Sequence, residues 1–406
     1  MDMSNTAALD CRSQRFLGSK GLVVLIAFLS AFVPLSTDLY LPALPGMAEY
    51  FHAPVTQVNL TLILFFIFYS IGMLVWGPLS DKYGRKPILL YGMALYVLAS
   101  ALAANAVSLN QLIVFRVLQA VGGSSATAVG TAIVKDVYDG RKRESVLALV
   151  QSMVMIAPAV APILGALLLQ MISWRGVFWT LAGIGLLALL LSLLLEETVA
   201  GPYQGTLWQA MAGLGKVLGN PGFTSLLLTF SLINLVSMAF VAASSYIYEN
   251  QFGLTAQGFS YYFTFNAAGL IVGPMLYIYL SSRFDRRSII MACFAIIACG
   301  GALVCWLGSL QPWLFAVLLF PATLAGSCAR PPGANLMLEQ QQENVGSASS
   351  LIGCFGLLMG SIGMLVISSG WENMVSVLGI INVFIGLLGG TLWLFLSRQP
   401  FIKQIG

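Results

Sequence analysis

The chain has 406 residues, 58% hydrophobic and only 8% charged. Soluble domains carry about 25% charged residues, so a water-soluble globular fold is excluded. Its net charge of +4 would admit an acidic partner such as nucleic acid, unless the cations are placed by membrane topology instead.

Apolar runs of about 20 residues, long enough to cross a bilayer, recur along nearly the whole length. They fall at roughly 20–43, 55–79, 87–106, 109–134, 145–170, 176–195, 222–247, 257–280, 288–308, 312–338, 345–369 and 374–397. Each is expected to be a helix, because lipid offers backbone groups no partner outside their own segment. The predicted fold class is therefore all-α integral membrane, with twelve transmembrane helices. The first run follows Arg12, Arg15 and Lys20 as a secretory signal would, but no small-residue cleavage site is evident and the run continues to Pro42, which reads as a retained span.

With the N-terminus in the cytoplasm and an even number of spans, both termini lie on that side. Sixteen of the nineteen Lys and Arg then face the cytoplasm, while Arg175 sits in an outer loop and Arg116 and Arg330 lie inside spans. That asymmetry is the positive-inside rule, and it implies no nucleic acid. The sole histidine, His52, is in the first outer loop. Cys11, Cys293, Cys299, Cys305, Cys328 and Cys354 lie mostly inside spans, as small core residues rather than a disulfide framework. Neither a His/Cys metal site nor a Ser/His pair within spans can be built, so metal ligands, cofactors and catalytic residues are not expected, and the chain does not read as an enzyme.

The longest loop, 196–221, carries Glu196, Glu197, Pro202, Gly205, Gly219 and Pro221. It divides the chain into an N-terminal six-helix bundle (1–195) and a C-terminal one (222–406). Ser80-Asp81-Lys82-Tyr83-Gly84-Arg85-Lys86-Pro87-Ile88 aligns, 201 residues later, with Ser281-Ser282-Arg283-Phe284-Asp285-Arg286-Arg287-Ser288-Ile289. An offset of half the chain is the mark of two parallel repeats.

Asp38, Arg116 and Arg330 are the ionisable residues well inside spans, where a charge costs at least ~2.5 kcal/mol on insertion scales. Asp38 and Arg116 each lie seven residues from the outer end of their span, hence roughly 10 Å deep. At equal depth they can form a proton switch or a static ion pair holding two helices together. Arg330, roughly 27 Å from the outer end, is left with three readings: a side chain snorkelling to the cytoplasmic surface, a cap on carbonyls freed by Pro331 and Pro332, or a contact to an anionic substrate. Phe65, Tyr69, Gln119, Asn234, Met238 and Asn266 fall level with or just below Asp38, and such aromatic, amide and thioether groups suit amphipathic compounds of varied shape.

Gly77-Pro78-Leu79-Ser80-Asp81-Lys82-Tyr83-Gly84-Arg85-Lys86-Pro87 fills every defined position of G-x-L-x-D-[RK]-x-G-R-[RK], and so resembles the signature between the second and third helices of the major facilitator superfamily. Ser36-Thr37-Asp38-Leu39-Tyr40-Leu41-Pro42-Ala43-Leu44-Pro45 looks like the first helix of Bcr/CflA-type multidrug exporters, which include bicyclomycin and chloramphenicol resistance proteins. Arg116-Val117-Leu118-Gln119-Ala120-Val121-Gly122-Gly123 matches the superfamily's R-x-x-Q-x-x-G, whose arginine is tied to proton movement. Lys135-Asp136-Val137-Tyr138 resembles R-D-x-Y with lysine substituted, which implies that Asp136 pairs with Arg85 and braces an inner gate with Gly77, Asp81, Gly84 and Lys86. Ala157-Pro158-Ala159-Val160-Ala161-Pro162-Ile163-Leu164-Gly165-Ala166 is similar to the antiporter signature of the fifth helix, with Pro158, Pro162 and Gly165 kept and alanines replacing three glycines.

The resemblance implies two pseudo-symmetric six-helix bundles that export small amphipathic drugs in exchange for protons. It also implies a monomer in the bacterial inner membrane, driven by the proton gradient with no cofactor. Export or symport of an endogenous metabolite such as a nucleoside or amino acid is the alternative.

Overall fold

The computed structural model describes residues 14–199, 207–341, 345–400 and 402–403. Cys11, Arg12, Pro202 and Gly205 lie outside the described residues. The helices are α1 (Gly18–Ser30), α2 (Phe32–Asp38), α3 (Leu44–Tyr50), α4 (Val55–Tyr83), α5 (Arg85–Ala104), α6 (Leu109–Val137), α7 (Gly140–Met171), α8 (Trp174–Leu193), α9 (Leu207–Leu218), α10 (Pro221–Ser245), α11 (Ala256–Ser281), α12 (Arg286–Leu307), α13 (Pro312–Glu339), α14 (Val345–Ile367) and α15 (Met374–Leu396). Eleven are long and apolar enough to cross a membrane, and the pair Gly18–Ser30 with Pro34–Tyr50, bent by 41°, supplies a twelfth span.

Helix starts are written into the loops. Ser108, Asn220, Thr255, Asp285 and Asn373 each accept a backbone N–H of the following helix with their side chain, satisfying donors that lipid would leave bare. Pro221 and Pro312 occupy first-turn positions, where a missing N–H is harmless.

The first span differs from the single helix expected over 20–43. It is broken at Ala31, and after Asp38 it narrows into a 3₁₀ turn at Leu41–Ala43 before α3. Pro42 lacks the N–H that would reach back to the Asp38 carbonyl, so α2 cannot run on unbroken. The segment expected as a plain loop also contains a twelve-residue helix, α9, which packs against α4, α10 and α14.

Packing is densest between α4 and α6, α5 and α6, and α5 and α8 on one side, and between α12 and α15, α10 and α14, and α11 and α13 on the other. Two seams join these sets, α4 against α14 and α7 against α11. Helices in lipid gain little by burying apolar surface, so close approach of backbones has to hold them together. Small residues allow it: a methyl added to Gly122 of α6 would lie 2.6 Å from the Tyr96 backbone nitrogen and 2.7 Å from the Gly92 carbonyl oxygen of α5. Gly379 of α15 meets α12 in the same way, at 2.7 Å from the Gly301 oxygen.

The repeat seen in the basic loops extends to an ion pair. Arg85, opening α5, binds Asp136 at the end of α6 with Nε–Oδ2 2.8 Å, and Arg286, opening α12, binds Glu339 at the end of α13 with Nη1–Oε2 2.9 Å. Both pairs sit at the end of the bundle that carries the basic loops, the basic face. Among the described residues, hydrogen bonds between the two halves instead fall from mid-membrane to the opposite face. Thr56 donates to the Ser368 carbonyl at 2.6 Å, Asn59 to Ser368 Oγ at 2.7 Å and to the Ala242 carbonyl at 3.3 Å, and Gln170 to Gln257 at 3.0 Å. The halves therefore clasp at the opposite face.

Gly122→Ala should lower the unfolding stability of the purified protein by about 1–3 kcal/mol, the usual range for an overpacked core. Thermal unfolding in detergent checks this, and an unchanged midpoint would refute the close-approach argument.

Candidate functional site

Arg116 is wholly buried in α6, and its surroundings follow from the break in the first span. The last carbonyls of a helix have no intrahelical donor. Because α2 stops at Asp38, the Ser36 carbonyl is one of these, and Arg116 Nη1 donates to it at 3.0 Å. Nη1 also donates to Gln119 Oε1 at 2.6 Å, and Nε to the Thr61 carbonyl at 3.3 Å. Gln119 passes the chain on to Ser100 Oγ at 2.7 Å. The rings of Phe65 and Tyr40 lie 4.2 and 4.6 Å from the guanidinium carbon, so the charge also rests on two aromatic faces. Nη2 is buried with no hydrogen-bond partner.

Asp38 lies at the level expected, two residues from the carbonyl that Arg116 grips. The direct Asp38–Arg116 pairing drawn from equal depth is absent: no ion pair within 4.0 Å joins them among the described residues. The reason is local, since the guanidinium is turned onto the backbone of α2. Asp38 is 6% exposed, and its Oδ1 accepts from Thr37 Oγ1 at 2.9 Å. Gly165 of α7 closes over this point, because a side chain there would overlap the Leu39 carbonyl. That close approach is what the fifth-helix glycine provides. Pro158 and Pro162 sit within α7, and the same stretch forms part of the seam: Thr264 donates to the Ala159 carbonyl at 2.7 Å and Ser260 to the Pro162 carbonyl at 2.9 Å.

The residues expected around a substrate separate into two groups. Phe65 and Gln119 belong to the Arg116 cradle and are fully buried. Tyr69 stacks on Phe65 at 5.8 Å and bonds Thr127 at 2.6 Å. Asn266 is sealed in α11, with Nδ2 on the Tyr262 carbonyl at 3.4 Å and Oδ1 unpartnered. Asn234 and Met238 are half-buried on α10, against Gly356 and Gly360 of α14. Among the described residues Arg330 donates to no backbone carbonyl. It is exposed, α13 continues through Pro331 and Pro332, and Nη2 reaches Ser237 Oγ of α10 at 3.4 Å. A cavity of about 330 Å³ between α11, α12 and α13, lined by Leu276, Leu280, Ile296 and Leu324, holds none of these residues.

At the basic face Arg85 binds Asp81 Oδ1 at 2.5 Å and Asp136 at 2.8 Å, and donates to Ser80 Oγ at 2.7 Å. Sequence reasoning missed Glu197. Its carboxylate accepts the Arg85 N–H at 2.9 Å and the Lys86 N–H at 3.1 Å, capping α5 from beyond α8. Lys86 Nζ answers by donating to the Leu193 carbonyl at 2.8 Å. Gly84 adopts φ 99°, and a side chain there would come within 2.5 Å of the Glu197 carboxylate, so glycine is required twice over. The one readable hint was an acid directly after a span, opposite a basic helix start. A side chain on Gly77, by contrast, would meet nothing within 4 Å in this conformation.

Twelve spans among the described residues, in two packed sets of six, with a charged cradle buried inside the N-terminal set, make the architecture of a multi-pass membrane transporter. Residues 26–364 match the model of the Major Facilitator Superfamily, and the chain belongs to that family. It is 30% identical over 350 residues to the MFS-type transporter YdgK of Bacillus subtilis, covering 84% of this chain and 87% of that protein. It is 28% identical over 397 residues to a chloramphenicol resistance protein of Pseudomonas aeruginosa, covering 92% of each. The bicyclomycin resistance protein homolog of Haemophilus influenzae is 26% identical over 364 residues, covering 84% of this chain and 88% of that one. Among solved structures, a point mutant of the nucleoside transporter NupG superposes with TM-score 0.73 at 12% identity, covering 93% of this chain and all of that one. An inward-facing bacterial homolog of the lysosomal transporter Spinster superposes with TM-score 0.72 at 14% identity, covering 94% and 98%. At such identities these two likenesses bear on the fold alone.

Arg116→Lys keeps the charge but replaces a planar fork with a single ammonium, which cannot serve Ser36, Thr61 and Gln119 together. Unfolding stability should fall by about 1.5–3 kcal/mol, the value of one hydrogen bond to a charged group. Denaturation of purified protein in detergent measures it, and wild-type stability would show that the cradle contributes nothing.

Proposed function

We propose that the protein is a proton-coupled antiporter of the bacterial inner membrane that exports small amphipathic drugs or toxic compounds. It acts as a monomer of two six-helix bundles (1–195 and 222–406, joined by 196–221), with the basic face and both termini in the cytoplasm. The proton gradient drives it, without a cofactor. The observation that carries the reading is Asp38, buried with no ion-pair partner among the described residues, two residues from the Ser36 carbonyl that holds Arg116, whose Nη2 is buried with no acceptor. Two such groups can be left apart or brought together, and the protonation of the acid decides which is favourable. The resistance named in the relatives' descriptions supports drugs as the cargo.

In this account the clasped opposite face is the outer face, so the conformation opens to the cytoplasm. There Asp38 gives up its proton as substrate binds, and its carboxylate turns toward Arg116 Nη2. Opening to the outside returns a proton to Asp38 and releases the substrate. Asn234 and Met238, half-buried on α10, line the path from the C-terminal half. Phe65, Tyr69 and Gln119 act indirectly, by holding Arg116. Asp81, Arg85 and Asp136 hold the inner gate, and the bare surface at Gly77 is where α14 comes to rest when that gate closes.

Asp38→Asn mimics the protonated acid permanently. In a bacterium stripped of its own exporters, the wild-type protein should raise the tolerated concentration of one or more amphipathic drugs by about tenfold, and Asp38→Asn should abolish that protection at equal membrane abundance. Full protection by the variant would overturn the coupling role. Sensitivity unchanged for every drug by the wild-type protein would favour an endogenous metabolite as cargo.

A further inference from the structure

Glu249 has no part in the mechanism above, yet it stands at the outer clasp. It lies in a single π-helical turn, Tyr246–Gln251, that continues α10. Such wide turns are rare and gather at functional sites. The turn packs against α3 of the other half, and Tyr246 lies within electrostatic reach of both Glu249 and Tyr40, the residue whose ring covers Arg116. Glu249 Oε1 is buried and has no hydrogen-bond partner, as are the hydroxyls of Tyr246 and Tyr248 beside it. None of the ion pairs among the described residues involves it.

The titratable groups on the elements packed against the turn are Glu49 and Tyr50 on α3, Tyr261, Tyr262, Tyr277 and Tyr279 on α11, and Tyr40 before the 3₁₀ turn; α10 carries none. No cation is among them, and Glu49 would oppose a second negative charge. Burying an unpaired carboxylate oxygen without a donor is far costlier for the ionised acid than for the neutral one. Parting of the halves would draw α3 from the turn and admit water to Oε1, and the acid could then ionise.

We propose that Glu249 is a second proton-binding site, one that takes up a proton when the outer face closes and releases it when that face opens. Both steps exchange with the outer solution, so Glu249 carries no net proton across the membrane. It makes the outer clasp a latch that alkaline outer pH loosens. The inference rests on the rocking of the two halves and not on Asp38 as the coupling acid.

The test uses the full chain in lipid nanodiscs with its six cysteines replaced and spin labels at Val107→Cys and Leu310→Cys. These positions are exposed on opposite halves at the outer face. Distances between them, measured by double electron–electron resonance from pH 5 to 9, should show an open population rising with pH. One pH unit above the midpoint, Glu249→Gln should hold the open-to-closed ratio at the parent's low-pH value, about tenfold or more below the parent, because the neutral side chain lacks the ionisation that drives opening. Glu249→Asp should keep a transition at a shifted midpoint, and Asp38→Asn should leave the Glu249-dependent transition in place. A transition unchanged in Glu249→Gln, or absent from the parent protein, would overturn the proposal. So would a transition lost in Asp38→Asn and kept in Glu249→Gln, which would assign it to Asp38. If Glu249→Gln fails to fold, an unshifted midpoint in Glu249→Asp overturns it equally.

Discussion

A guanidinium at mid-membrane has to be satisfied by protein, because lipid offers neither acceptors nor screening. Arg116 meets most of that requirement without an acid, through the Ser36 and Thr61 carbonyls, Gln119 and two aromatic faces, and leaves Nη2 without a partner. The Ser36 carbonyl is available only because α2 ends at Asp38, and α2 ends there because Pro42 cannot donate. One imino acid thus sets both the end of a helix that carries an acid and the docking of the cation beside it. Gly165, whose backbone lies on the Leu39 carbonyl, fixes the fifth span over the same point.

The two faces of the bundle are held by different chemistry. At the basic face each half closes on itself, through Arg85 with Asp81, Asp136 and Glu197, and through Arg286 with Glu339. At the opposite face the halves close on each other through neutral hydrogen bonds of Thr56, Asn59, Gln170, Ser260 and Thr264. Neutral bonds of this kind contribute about 0.5–1.5 kcal/mol each, few enough for a gate that has to open. Ion pairs within a half can stay intact while that half moves as a unit, which is how rocking of one bundle against another preserves its parts.

Much of the fold was legible because hydropathy and basic loops report directly on what lipid tolerates. The Arg85–Asp136 contact could be anticipated from motif resemblance. Glu339 could not: it lies 203 residues beyond Asp136 rather than 201, so aligning the short basic loops did not reach it. Depth along a helix placed Asp38 and Arg116 at one level but said nothing of which way each side chain turns. That is why an ion pair was expected where Arg116 binds backbone. Carbonyl acceptors carry no sequence signal, and neither does the π turn that buries Glu249 at what reads as the wet end of a span. Phe65 and Gln119 were placed near a substrate by the same depth argument, which gave no sign that both are buried against Arg116.

The central claim is that Asp38 exchanges its proton for substrate. The most direct measurement is proton release on adding a transported drug to purified protein in weakly buffered detergent, followed with a pH indicator. The wild-type protein should release about one proton per drug bound, and Asp38→Asn none with drug binding retained. Equal release from both proteins would contradict that exchange.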